Sequence, residues 1–196
     1  MSRTVPVCSQ ATTRREDVKS IDWCGGWGYI IRTMSHITRD FTATTFVVQD
    51  GRTLLIYHKQ IREWFPPGGH IDRDELPCDA AVREVREETG LDVEIIAPRS
   101  RIGRVEVLRR PEYILLEQIR PDHQHIDLIY FARVIGGRLE IAESEADAHR
   151  WCDLQDLDDA EIPEDIRRLG KIAIRRVGGR ASSVQGRSGR GPRVES

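Results

Sequence analysis

The sequence predicts an α/β fold with a central mixed β-sheet, and three observations carry that expectation. Residues 41–48 are rich in Thr and Val, Asp50-Gly51 is a hairpin turn signal, and residues 54–57 supply the apolar return. A well-bounded helix is expected from Pro77 to Thr89, since proline suits the first helical position, Asp79 complements the amino-terminal dipole and Gly90 is a carboxy-terminal stop. Strand-like segments follow at residues 103–108, 113–119 and 125–134, with Gly136-Gly137 read as a tight turn.

Taken in order, residues 1–34 have no sustained periodicity and read as a poorly ordered N-terminal extension, with Met34 as a candidate start. Residues 35–177 form the expected domain. The loop Trp64-Phe65-Pro66-Pro67-Gly68-Gly69 joins a rigid turn to glycines that admit close backbone approach, and leads into the helix. Residues 163–177 place Ile166, Leu169, Ile172 and Ala173 at helical spacing, so a second helix should pack on the sheet. From Gly178 to Ser196 the composition turns to Gly, Ser and Arg, the signature of a disordered basic tail.

A chain of 196 residues suits one domain with a real core. Thirty basic and 32 acidic residues leave a formal charge of −2, so nothing draws the chain to a nucleic acid polymer or a membrane surface, and the partner should be small. Cys8, Cys24, Cys78 and Cys152 are scattered, which argues against a disulfide framework and for free thiols in a reducing cytoplasmic setting.

The chemistry concentrates in residues 69–91. On a helical wheel Cys78, Ala81, Val82 and Val85 form an apolar stripe, while Glu84, Glu87 and Glu88 gather on another face, with Ala80 one turn earlier expected to leave room for ions and phosphate. Neighbouring carboxylates either raise a pKa or demand a cation, and oxygen donors of this kind favour Mg2+, with Mn2+ as a substitute. A solvated acidic helix face would explain the glutamates alone, but not the wider spacing. Gly69, Glu75, Arg83, Glu84, Val85, Glu87, Glu88, Gly90 and Leu91 fill every specified position of GX5EX7REUXEEXGU, where U is a bulky aliphatic residue. The chain therefore resembles the Nudix hydrolases, the MutT-like nucleotide pyrophosphohydrolases.

That resemblance implies an α/β/α sandwich and metal-dependent hydrolysis of a nucleoside diphosphate linked to another moiety. By carry-over Glu84, Glu87 and Glu88 hold the metal, the Gly69 carbonyl adds a ligand, and Glu75 pairs with Arg83, which orients Glu84. The general base is a box glutamate, Glu84 or Glu87, or the later loop acid Glu145. Homodimers are common in the family, though no stretch here identifies an interface. A Nudix-fold regulator that binds a nucleotide without turnover is the alternative, weakened because all box carboxylates are present.

Other residues are candidate substrate contacts. His123, His125 and Asp127 share a strand face and could meet phosphate or a further metal; Tyr57, Trp64, Phe65 and Tyr130 could stack on a base; Arg52, Lys59 and Arg62 could meet phosphate. Deleting residues 1–33 is expected to leave folding and hydrolysis intact; loss of either on the truncated chain would show that the extension belongs to the working protein.

Overall fold

The computed structural model describes residues 37–184, with side chains through residue 179. The extension read at residues 1–34, the Met34 start and the tail from residue 185 onward lie outside the described residues.

Two long strands at the centre of the sheet organise the domain. Strand β1 (Thr38–Gln49) turns through Asp50 and Gly51, both at positive φ, into β2 (Arg52–His58). Two short strands follow, β3 (Trp64–Phe65) on β2 and β4 (Gly68–His70) on β1. Helix α1 spans Pro77–Thr89, as the capping signals predict, and Gly90 closes it by donating its N–H to the Arg86 carbonyl at 2.9 Å. Strand β5 (Leu91–Ile95) comes next, then β6 (Ser100–Ile102) and β7 (Val105–Val107), then β8 (Tyr113–Arg120) and β9 (His123–Gly137). Strand β10 (Ala146–Cys152), a 3-10 turn at Asp156–Asp158 and helix α2 (Glu164–Val184) complete the domain.

The sheet order is β10-β2-β1-β9-β5, with β3, β4 and β8 attached to β2, β1 and β9. Strands β1 and β9 run parallel from Thr38↔His123 to Val48↔Arg133, and the other pairings are antiparallel, so the sheet is mixed as expected. Period-two alternation sends Ala43, Val47, Tyr130 and Ala132 into the core beneath α1. Their neighbours Phe46, Val48, Ile129 and Phe131 enter the core beneath α2, together with Leu157, Ile166, Leu169 and Ala173. The result is an α/β/α sandwich. No helix among the described residues is long and apolar enough to cross a membrane.

Several local expectations need correction. Residues 103–108 do not form one strand: Gly103, at positive φ, turns β6 into β7, a two-stranded sheet apart from the main one. Gly136 and Gly137 are not a hairpin turn but the end of β9, paired with Asp92 and Leu91 of β5. Tyr130, 1% exposed, belongs to the core and cannot stack on a ligand. Helix α2 runs past Val177 to Val184, so the segment read as tail from Gly178 begins as helix; a Cβ added at Gly178 or Gly179 would meet nothing, and Val177 is the last of the described side chains packed in this core. Leu157 plugs this side of the domain, fully buried beside Gly170, where an added Cβ would stand 3.1 Å from its Cδ1. Leu157→Ala is expected to cost about 2–5 kcal/mol of unfolding free energy in denaturant titrations, the usual penalty for a buried cavity.

Candidate active site

Helix α1 docks and displays at once. Cys78, Ala81 and Val85 are buried against the sheet, and Ala80 joins them at 0% exposure, so it packs in the core and does not line an ion space. Strand β4 lies close to the acidic face because its pairing with β1, Thr44↔Gly68 and Ala43↔Gly69, holds the two glycines beside the helix. A Cβ on Gly69 would stand 2.6 Å from Glu84 Oε1, so only glycine lets that carboxylate rest against the backbone. The Gly68 N–H donates to Glu88 Oε2 at 3.1 Å.

Arg83 gathers the rest. Its Nε donates to Glu75 Oε1 at 2.8 Å and its Nη2 to Glu75 Oε2 at 2.9 Å, the two-pronged geometry that fixes a carboxylate in orientation as well as distance. Its Nη1 reaches Glu84 Oε1 at 2.8 Å and Glu87 Oε2 at 3.0 Å, and Nη2 also donates to the His70 carbonyl at 3.1 Å. The Arg83 hydrogen bond holds the Glu75 carboxyl below the usual carboxylate range; reciprocally, Glu75 first and then Glu84 and Glu87 lift Arg83 well above the ordinary guanidinium value. Glu75 also accepts the Asp72 N–H at 3.1 Å within the loop, so its bonds to Arg83 tie that loop to the helix.

Glu88 is 7% exposed, and burial pushes its carboxyl up to about 8, opposed by the Gly68 N–H and reinforced by the charges of Glu84, Glu145 and Glu87. Glu145 therefore comes within electrostatic reach of the box. Its loop is held to the helix end by the Ala142 N–H on the Glu88 carbonyl (2.9 Å) and to β2 by the Lys59 N–H on the Glu145 carbonyl (3.0 Å). The Glu145 carboxylate makes no hydrogen bond or ion pair among the described residues. One guanidinium bonds Glu75, Glu84 and Glu87, and the buried Glu88 adds a fourth carboxylate. That all-oxygen donor set with surplus negative charge fits a hard divalent cation such as Mg2+ or Mn2+.

The remaining candidates fall into different environments. Lys59 donates to the Glu143 carbonyl and lies 3.7 Å from Asp147, which Arg62 also grips at 3.0 Å, so both cations brace the acidic loop. Trp64 packs edge-on against Tyr57 with ring centroids 5.2 Å apart, and the Arg150 guanidinium sits 4.6 Å over its ring, leaving little π surface for a base. Phe65 is half-buried at the margin of the α2-side core.

His123, His125 and Asp127 share a face, in different surroundings. Asp127, 3% exposed, accepts the Thr42 hydroxyl at 2.9 Å, and burial raises its pKa. His125 instead packs edge-on against His70 at 5.0 Å and His123 at 5.1 Å; burial, then the neighbouring His70 and His123, hold it below the ordinary histidine value. Sequence reasoning missed Asp40 and His70, which join these histidines only through the pairings of β1 with β9 and β4.

Comparison with known proteins matches this geometry. The NUDIX domain family model covers residues 38–171. A Bacillus subtilis (strain 168) protein named as an 8-oxo-dGTP diphosphatase is 29% identical over 114 residues, 57% of this chain and 66% of that protein. The asymmetrical bis(5'-nucleosyl)-tetraphosphatase of Mus musculus is 32% identical over 97 residues, 49% of this chain and 59% of its own. The chain thus spans slightly under two thirds of the first relative's length and less of the second's. The crystal structure of a NUDIX-family hydrolase from Clostridium perfringens is similar with a TM-score of 0.64 and 30% identity, covering 72% of this chain and 99% of that one.

The raised Glu88 carboxyl predicts a pH dependence in the metal-free protein. The folded state holds this proton more tightly than the unfolded chain, so its contribution to stability is present at acidic pH and lost as pH climbs from 4.5 through about 8. Denaturant unfolding in chelator across that window should show the decline, and Glu88→Gln should flatten it; an unchanged slope in the variant would contradict the assignment.

Proposed function

The chain belongs to the NUDIX family, and on that premise we propose that it hydrolyses, with Mg2+, the diphosphate bond of a nucleoside diphosphate linked to another moiety, (d)NTPs and related nucleotides being the first substrates to try. The observation that carries this reading is the approach of Glu84 and Glu88 to the Gly68-Gly69 backbone, with Arg83 holding Glu87 beside Glu84.

In this proposal Glu84, Glu87, Glu88 and the Gly69 carbonyl hold the ions. Bound divalent ions supply charge neutralisation at the phosphates and acidification of the attacking water. Arg83 positions Glu84 and Glu87, while Glu75 holds Arg83 in place. We assign the general base to Glu145: Glu84 and Glu87 are already engaged by Arg83, whereas the Glu145 carboxylate makes no hydrogen bond or ion pair among the described residues and its loop is anchored to the same helix end. It takes the proton of the water whose oxygen bonds to phosphorus, as the bridging P–O bond breaks and its electron pair leaves with the departing phosphate group. Phe65 is the residue we propose as an apolar contact for the nucleoside. The two named relatives act, by their names, on 8-oxo-dGTP and on a dinucleoside tetraphosphate, which supports a nucleotide anhydride as the substrate class.

A Mg2+-dependent screen of nucleotide diphosphate compounds with product identification tests the proposal. Glu87→Gln should lose at least about 10–100-fold in activity, since even an outer partner of a metal ligand is worth that much. Glu145→Gln should lower kcat about 10²–10⁴-fold with KM nearly unchanged. Turnover of no compound would overturn the enzyme reading, and full activity in Glu87→Gln would overturn the metal assignment.

A further inference from the structure

A second group of side chains with metal-ligating atoms lies on the other face of β4. Successive residues of a strand project to opposite faces, and the Cβ position of Gly69 faces Glu84, so His70 points away from the box. On that side the parallel register sets Asp40 opposite His125 and Thr38 opposite His123, while β4 sets His70 opposite Thr42. The ligand atoms of Asp40, His123 and His125 all fall within 4.8 Å of one another. Asp40 Oδ2 lies 3.6 Å from His123 Nε2 and 3.8 Å from His70 Nε2. Ligands of a tetrahedral zinc ion stand about 3.4 Å apart, so Asp40, His123 and His125 would draw together onto an ion, and His70, outside that compact group, would turn in from its place beside Asp40.

His123 has an outer partner on its second ring nitrogen. The Thr38 hydroxyl lies 2.8 Å from His123 Nδ1 and 3.3 Å from the Asp122 carbonyl, so Nδ1 is engaged while Nε2 faces Asp40. A metal-binding histidine is oriented in this way, its second nitrogen fixed by an outer hydrogen bond. His123 is 8% exposed, so its orientation is also held by packing.

We propose that Asp40, His123 and His125, with His70 in the fourth position, form a binding site for a Zn2+-class ion, separate from the carboxylate box. Three imidazoles and one carboxylate are a borderline donor set suited to Zn2+ or Co2+, whereas the box offers only oxygen. Asp40 and His70 also border an open depression of about 460 Å3, so the ion has an entry path and can exchange. Because the His70 carbonyl accepts from Arg83, an ion on the His70 ring would also steady the short strand that carries Gly69. The proposal rests on the histidine cluster alone and stands whether or not the chain turns over a nucleotide.

The test is titration of the chelator-treated full chain with Zn2+ by calorimetry, in excess Mg2+. One Zn2+ per chain should bind. His123→Ala and His125→Ala should weaken binding about 100-fold or more, and Thr38→Val about 10–100-fold. Glu87→Gln should leave it unchanged. The Co2+-loaded wild type should show the visible absorption of a tetrahedral site, missing from the histidine variants. Circular dichroism checks that each variant folds, with His125→Gln as the milder change if an alanine variant does not. No Zn2+ uptake by the wild type, unchanged uptake in the histidine variants, or loss of uptake in Glu87→Gln would each overturn the proposal.

Discussion

The Arg83 guanidinium is the interaction on which the site depends. A flat, permanently charged group with five N–H donors can satisfy several acceptors at once, and here it binds Glu75 with two prongs while reaching Glu84, Glu87 and the His70 carbonyl. Loop, strand β4 and helix α1 are joined through one side chain. A lysine could supply the charge but not this geometry. Glu88, the one box glutamate with no bond to Arg83, has its pKa raised first by burial and then by the charges of Glu84, Glu145 and Glu87.

The fold separates stability from chemistry by using the two long central strands for both. Toward their ends in the domain interior, β1 and β9 bury large apolar side chains on both faces, Phe46 and Phe131 meeting edge-to-face at 5.9 Å. Toward the amino-terminal ends the same alternation presents Asp40, Thr42, His125 and Asp127. Strand β4 pairs with that polar half of β1 and delivers Gly69 to one face and His70 to the other. A strand of three residues thereby borders two donor sets of unlike hardness, carboxylates on one side and imidazoles on the other.

The acidic loop shows how a surface segment becomes part of a site. Glu145 would be an ordinary exposed acid if its chain were free. The Ala142 and Lys59 backbone bonds, with Lys59 and Arg62 gripping Asp147, hold it where its charge is felt by Glu88. Lys59 and Arg62, two of the cations that read as phosphate contacts in the sequence, hold that loop in place.

The sequence by itself determined the helix Pro77–Thr89, the β1–β2 hairpin, the parts of the acidic box and the apolar faces of both helices, because each is encoded locally: a cap, a turn pair, a residue spacing or a 3.6-residue period. It left open what depends on which strands become neighbours. Leu91–Ile95 and Ala146–Cys152 are too short to announce themselves without partners, and Gly136-Gly137 looks like a turn until β5 pairs with it. Ala80 and Tyr130 read as site residues by position and chemistry, yet packing buried them. Above all, Asp40 and His70 lie far from His123 and His125 along the chain, and only the parallel register of β1 on β9 and the docking of β4 gather them, since pairing across a sheet is a long-range property that no local spacing records.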